Sequence, residues 1–115
     1  MLEDFIANNP VGSVGGECGT FAKKYLGWQS FPNEIEEKIK KTTSKVAQVG
    51  SVAVVDWSKS ETATEKQKKY GHVGIVVSIN DDGTTTLFDS NGSSDHKVGY
   101  TKVPTHRIAG YIESE

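Results

Sequence analysis

The spacing of apolar residues changes near the middle of this chain. In the segment Cys18-Gly19-Thr20-Phe21-Ala22-Lys23-Lys24-Tyr25-Leu26, the residues Phe21, Ala22, Tyr25 and Leu26 recur at helical spacing. That pattern predicts a short helix with Cys18 near its start, this stripe buried, and Gly27 as the stop. Before it, Asn8 to Gly16 is rich in Asn, Gly, Pro and Ser and is expected to be a loop. A second helix is expected after Pro32, with Asn33 as cap and Glu36 completing a capping box. Its inner face would carry Ile35, Ile39, Thr42 and Val46.

From Gly50 the pattern becomes that of strands. Ser51 to Trp57 is valine-rich, and His72 to Ile79 and Thr84 to Ser90 flank a turn at Asn80 to Gly83. Between them, Ser58 to Tyr70 is polar and lysine-rich, a loop or a short exposed helix. Further strands are expected over Val98 to Val103 and Ile108 to Ile112. Helices followed by antiparallel strands predict an α+β domain, its N-terminal helices packed on one side of a sheet of about five or six strands. A chain of 115 residues is one domain's worth, so residues 1–115 are expected to form one unit, conceivably excised from a longer protein.

Composition narrows the function. The net charge of −2 and pI near 5.9 argue against a nucleic-acid binder. Lysines cluster at Lys38, Lys40, Lys41 and Lys45 and again at Lys66, Lys68 and Lys69, where solvated faces are expected. No apolar run approaches a membrane span, so no membrane insertion is expected. The opening Met1-Leu2-Glu3-Asp4-Phe5 is acidic and lacks the features of a secretory signal. With Cys18 the single cysteine, an internal disulfide is impossible and the thiol needs another account.

On its own a free cysteine is most simply a buried small hydrophobe. Its position changes the weighing, because a helix N-terminus favours a thiolate. Gly15 and Gly16 just before it allow a sharp turn and close approach to a substrate. The hairpin from His72 to Ser90 supplies possible partners. His72 opens one strand and shares a face with Gly74, Val76 and Ser78, while Val73, Ile75, Val77 and Ile79 point to the core. Pairing Ile79 with Thr84 sets His72 opposite Asn91 and Gly74 opposite Asp89, so both polar residues share the histidine's face. A bulge, for which Gly83 is the candidate, would break this parity. Thiol, imidazole and a polar group that holds the ring are what nucleophilic thiol catalysis needs. His96 and His106 stand in turn-like, polar surroundings and are expected at the surface. Together with Cys18 and His72 they lack the paired spacing of a zinc site. Asp81-Asp82-Gly83 has too few following ligands for a calcium loop, and no nucleophile-elbow serine is present.

Four segments in order resemble the CHAP family of cysteine, histidine-dependent amidohydrolases and peptidases. Gly16-Glu17-Cys18-Gly19-Thr20-Phe21-Ala22 is similar to the segment that opens that family's first helix. Gly50-Ser51-Val52-Ala53-Val54-Val55-Asp56-Trp57 resembles its Gly-Asp-Val-Ala-Val-Trp strand, with Ser51 for Asp and one residue inserted before Trp57. Gly71-His72-Val73-Gly74-Ile75-Val76 is similar to its Gly-His-Val-Ala-Ile-Val strand, and Leu87-Phe88-Asp89-Ser90-Asn91 to its acidic-x-Asn ending. The resemblance runs from about Val14 to Tyr111.

It implies a papain-like fold, Cys18 as nucleophile, His72 as general base and then acid, and Asp89, where Glu is commoner, as the group orienting the ring. Asn91 would be a fourth polar member. The substrate cleft would be walled by Trp57, Gly16 and Gly74. The Cys18 N–H would serve as oxyanion donor. The implied activity is hydrolysis of a peptidoglycan amide, by endopeptidase or N-acetylmuramoyl-L-alanine amidase chemistry. Localisation would be at the bacterial cell wall, as a phage lysis or virion protein or part of a larger secreted one. A papain-like protease acting on a protein substrate and a silent wall-binding module are the alternatives. No cofactor or metal is expected, since Asn8 to Gly16 lacks the acidic residues of the calcium loop some members carry there. A monomer is expected.

Overall fold

A computed structural model describes residues 2–92 and 95–114. Three helices precede the first strand: α1 (Leu2–Asn8), α2 (Cys18–Leu26) and α3 (Ile35–Lys40). Then follow β1 (Val52–Val55), α4 (Glu65–Tyr70), β2 (His72–Ile79), β3 (Thr84–Ser90), β4 (Val98–Pro104) and β5 (Ile108–Ile112). The five strands form one antiparallel sheet in the order β4-β3-β2-β1-β5. This is the expected α+β, papain-like architecture.

The apolar stripe of α2 does what its spacing dictates. Phe21, Ala22 and Tyr25 are buried against Val54, Val73, Ile75 and Phe88 of the sheet, and Leu26 is partly buried beside them. Gly27 ends the helix with φ 73°, a left-handed conformation that costs glycine little. α1 was not expected, and only its last residue, Asn8, falls in the predicted loop. Its Phe5 ring packs 5.0 Å from both Phe21 and Tyr25. Tertiary packing of one aromatic, about 0.5–1.5 kcal/mol per ring pair beyond burial, thus secures a seven-residue helix too short to stand alone.

Four expectations are corrected. The capping box is not at Asn33. α3 begins after Glu34, which makes no side-chain cap bond, so Glu36 falls one position too early in the helix. The box occurs instead at α4, where Thr64 Oγ1 accepts from Gln67 N–H at 3.1 Å and Gln67 Oε1 from Thr64 N–H at 2.8 Å. α3 also ends before Thr42 and Val46. Thr42 Oγ1 donates back to the Ile39 carbonyl at 2.7 Å, and Val46 is left 65% exposed. Third, the sheet is packed on both faces. Val76 and Leu87 are buried with Ala53, Val55, Val103 and Tyr111 on the face away from α2, covered by Ala47, Trp57 and Ile108. Ile79 lies outside either core and is half exposed. Fourth, Lys38 is not on a solvated face. It is 2% exposed because α3 lies against the junction of α4 and β2.

Candidate active site

Cys18 is the first residue of α2. The preceding loop is drawn onto the sheet. Ser90 Oγ donates to the Gly16 carbonyl at 2.6 Å. A side chain at Gly15 would collide with Ser90 and with Val98 Cγ2, 2.8 Å away. The close approach that glycine permits here is therefore to β3 and β4, which ties the thiol's loop to the strand carrying Asp89. Glu17 occupies the cap position without a side-chain cap bond. The first N–H groups of α2 are thus left available to a negative charge.

His72 begins β2, and its Nε2 lies 2.6 Å from Asp89 Oδ2. The other carboxylate oxygen of Asp89 accepts from Thr101 Oγ1 at 3.1 Å. Strand parity produces this cluster. Ile75 pairs with Phe88 and Val76 with Leu87, so Asp89 lies across from Gly74 on the histidine's face, and Thr101, opposite Leu87, shares that face. A side chain at Gly74 would meet Leu87 Cβ at 2.8 Å and Asp89 Cβ at 3.1 Å. Glycine at this position is what lets the short Asp89 side chain sit beneath the ring. Asp89 itself is 1% exposed.

With Nε2 bound to Asp89, the remaining ring nitrogen is free of that bond. Cys18 and His72 line the same cleft. Burial opposes ionisation of this thiol, but the hydrogen bond and charge of His72, the charge of Lys38 and the Val73 N–H outweigh it and hold the thiol below its ordinary value. Burial likewise disfavours the imidazolium, yet the hydrogen bonds and negative charges of Asp89 and Cys18 raise His72 to about 9. Both shifts run in the direction of a thiolate–imidazolium pair backed by a carboxylate, the charge arrangement that thiol chemistry uses.

The pair opens onto a cleft of about 520 Å³ whose lining includes Cys18, Lys38, Trp57, His72 and Asn91. Trp57 is thus placed in the cleft wall. Gly16 and Gly74 are not among the lining residues, because the first is tied to β3 and the second is covered by Leu87 and Asp89. Asn91 stands at φ 66° and its Oδ1 accepts from the His96 N–H at 2.9 Å, so its side chain shapes the loop after β3. His96 is exposed yet lines the same cleft, while His106 is at the surface away from it. Asp82 closes the β2–β3 turn, its Oδ1 accepting from Thr84 N–H at 3.0 Å.

Lys38 and Thr101 were not singled out in the sequence. Lys38 is hidden by its place in a lysine run. Thr101 joins Asp89 through the β3–β4 register, which no turn motif announces.

A helix-borne thiol beside a sheet-borne histidine and carboxylate fits a papain-like fold. More narrowly, the CHAP domain model matches residues 8–91, and the chain belongs to the CHAP family. That is in general a family of cysteine- and histidine-dependent amidohydrolases directed at peptidoglycan. The crystal structure of Ly7917 shares the fold, with a TM-score of 0.60 at 17% identity over 96% of this chain. The chain spans 58% of that protein's length. No curated protein matches the sequence.

Proposed function

We propose that this CHAP domain hydrolyses an amide bond of peptidoglycan, with Cys18 as nucleophile and His72 as the acid and base. The observation that carries this reading is the His72 ring held at 2.6 Å by the buried Asp89, in the cleft that Cys18 also lines. The thiolate sulfur attacks the amide carbonyl carbon, and the carbonyl electrons move onto oxygen. The developing oxyanion accepts from the Cys18 N–H at the uncapped start of α2. The imidazolium gives its proton to the leaving nitrogen as the C–N bond breaks, leaving a thioester and a neutral ring. That ring takes a proton from water, whose oxygen attacks the thioester carbonyl. Collapse releases the carboxylate product and restores the thiolate. Asp89 holds the ring in the tautomer and orientation both steps require, and Thr101 holds Asp89.

The bond cut lies within a stem peptide or cross-bridge, or between the lactyl group of the sugar and the first alanine. The domain would act as a monomer at the bacterial wall, in phage lysis, on a virion or within a larger secreted protein. The test is a turbidity assay on purified sacculi, wild type beside Cys18→Ala, with mass spectrometry of released fragments. Release by wild type alone supports the proposal, and the fragment masses identify the bond. No release from several wall types by a protein with a fast-reacting thiol overturns the peptidoglycan assignment and points to a protein substrate. No release together with a sluggish thiol overturns hydrolysis altogether.

A further inference from the structure

Lys38 presents a physical problem that the thiol–imidazole chemistry leaves unsolved. Its side chain is almost completely buried, yet its ammonium has one hydrogen-bond partner, the neutral carbonyl of Tyr70 at 2.7 Å. Among the described residues it forms no ion pair with a carboxylate. A cation removed from water in this way is costly unless an anion lies near. The fold offers two. Glu17 is exposed and solvent-screened. The other is the Cys18 thiolate, which lines the same cleft as Lys38.

The placement of Lys38 is built, not incidental. α3 approaches the start of β2 so closely that a side chain at Gly71, which has φ 66°, would strike Ile35 and the Val55 carbonyl. The Lys38 bond to Tyr70 fastens the same junction, two residues before His72. Lys23 and Lys66 also line the cleft, but neither is buried as Lys38 is.

We propose that Lys38 is a positioning residue that supplies a second positive charge to the Cys18 thiolate, beside the one on His72. It rests on the reading of Cys18 as an ionised nucleophile. The groups that set the thiol's charge state are then His72 and the Val73 N–H from β2, Lys38 from α3 and, through the ring, Asp89 from β3, while Glu17 competes for Lys38. Burial holds the Lys38 ammonium below the ordinary lysine range, and the negative charges of Cys18 and Glu17 pull it back up. A fixed cation has a functional consequence. When His72 gives its proton to the leaving group, the pair loses one positive charge, and Lys38 keeps the sulfur a stable leaving thiolate for deacylation.

The test needs no wall substrate. The rate of Cys18 alkylation by iodoacetamide is followed against pH in wild type, Lys38→Arg, Lys38→Gln and Lys38→Met. Loss of the charge in Lys38→Gln, which keeps a donor for Tyr70, and in Lys38→Met should move the midpoint up by about one pH unit, while Lys38→Arg stays near wild type. An unmoved midpoint in Lys38→Gln makes Lys38 only a strut and overturns the proposal. Should the Lys38 variants not fold, reciprocity supplies the test on a folded protein. In Cys18→Ser the Lys38 ammonium, followed by NMR, should titrate at lower pH than in wild type, and an unchanged titration overturns the proposal. A wild-type thiol that reacts like free cysteine and ignores His72→Ala would instead sink the nucleophile assignment itself.

Discussion

The two ends of the β2–β3 hairpin obey different rules. At the end carrying His72 and Asp89, Gly74, Ile75 and Val76 are buried from both faces of the sheet. Ile75 pairs with Phe88 and Val76 with Leu87 there, in the register that a turn at Asn80 to Gly83 implies. At the loop end Ser78 pairs with Thr86 and Ile79 with Thr85, one residue out of that register, and Ile79 is half exposed. The extra residue is Val77, a bulge that absorbs the slip before it reaches the site. Two-sided packing fixes the register where the chemistry sits, and the solvated turn adapts to it. A one-residue slip carried through to Asp89 would have turned its carboxylate to the opposite face.

Changes at the site end should therefore alter chemistry, and changes at the loop end stability alone. The largest effect is expected from Asp89→Asn. It removes the acceptor that holds the His72 ring while keeping the shape, so turnover should fall by about 10²–10⁴-fold with the fold intact. Steady-state rates beside circular dichroism check this, and near wild-type turnover would break the contrast. Gly74→Val comes next. The new side chain meets Leu87 and Asp89 and should cost roughly 1–3 kcal/mol in urea unfolding, with activity lost as Asp89 is displaced.

Thr101→Val leaves one Asp89 oxygen without its 3.1 Å donor. About 1 kcal/mol of stability and a few-fold of kcat should be lost, with KM little changed, and Thr101→Ser should restore both. The smallest effect on the chemistry belongs to the far end of the hairpin. Gly83 has φ 84° but open space around it, so Gly83→Ala should cost only the left-handed conformation, about 1–2 kcal/mol, at unchanged thiol reactivity. Altered alkylation kinetics in Gly83→Ala would show that the bulge does not insulate the site.

The same contrast explains what was legible in the sequence. The bounds of α2, β2, β3 and β5 followed from local periodicity and turn residues. His72 and Asp89 share a face as expected because alternation along a strand survives wherever both neighbours are packed. The bulge at Val77 was not legible, and the parity argument held only because the turn's slip and the bulge offset each other. α1 was missed because its stability lies in the contacts of Phe5 with Phe21 and Tyr25, distant in sequence. Lys38 was misjudged because burial by α4 and β2 is tertiary and leaves no mark on a lysine run. Asn91 matched the family motif but stands where the chain turns, and its side chain holds the His96 N–H.

The charge state of the pair is tested most directly by NMR titration of the His72 ring nitrogens. In wild type the ring should stay protonated up to about pH 9, because Asp89 and the Cys18 thiolate both favour its charge over the cost of burial. In Cys18→Ala, with the thiolate gone, the midpoint should drop. A wild-type midpoint near the ordinary histidine value of about 6.5, unchanged by Cys18→Ala, would contradict the thiolate–imidazolium pair on which the proposed hydrolysis depends.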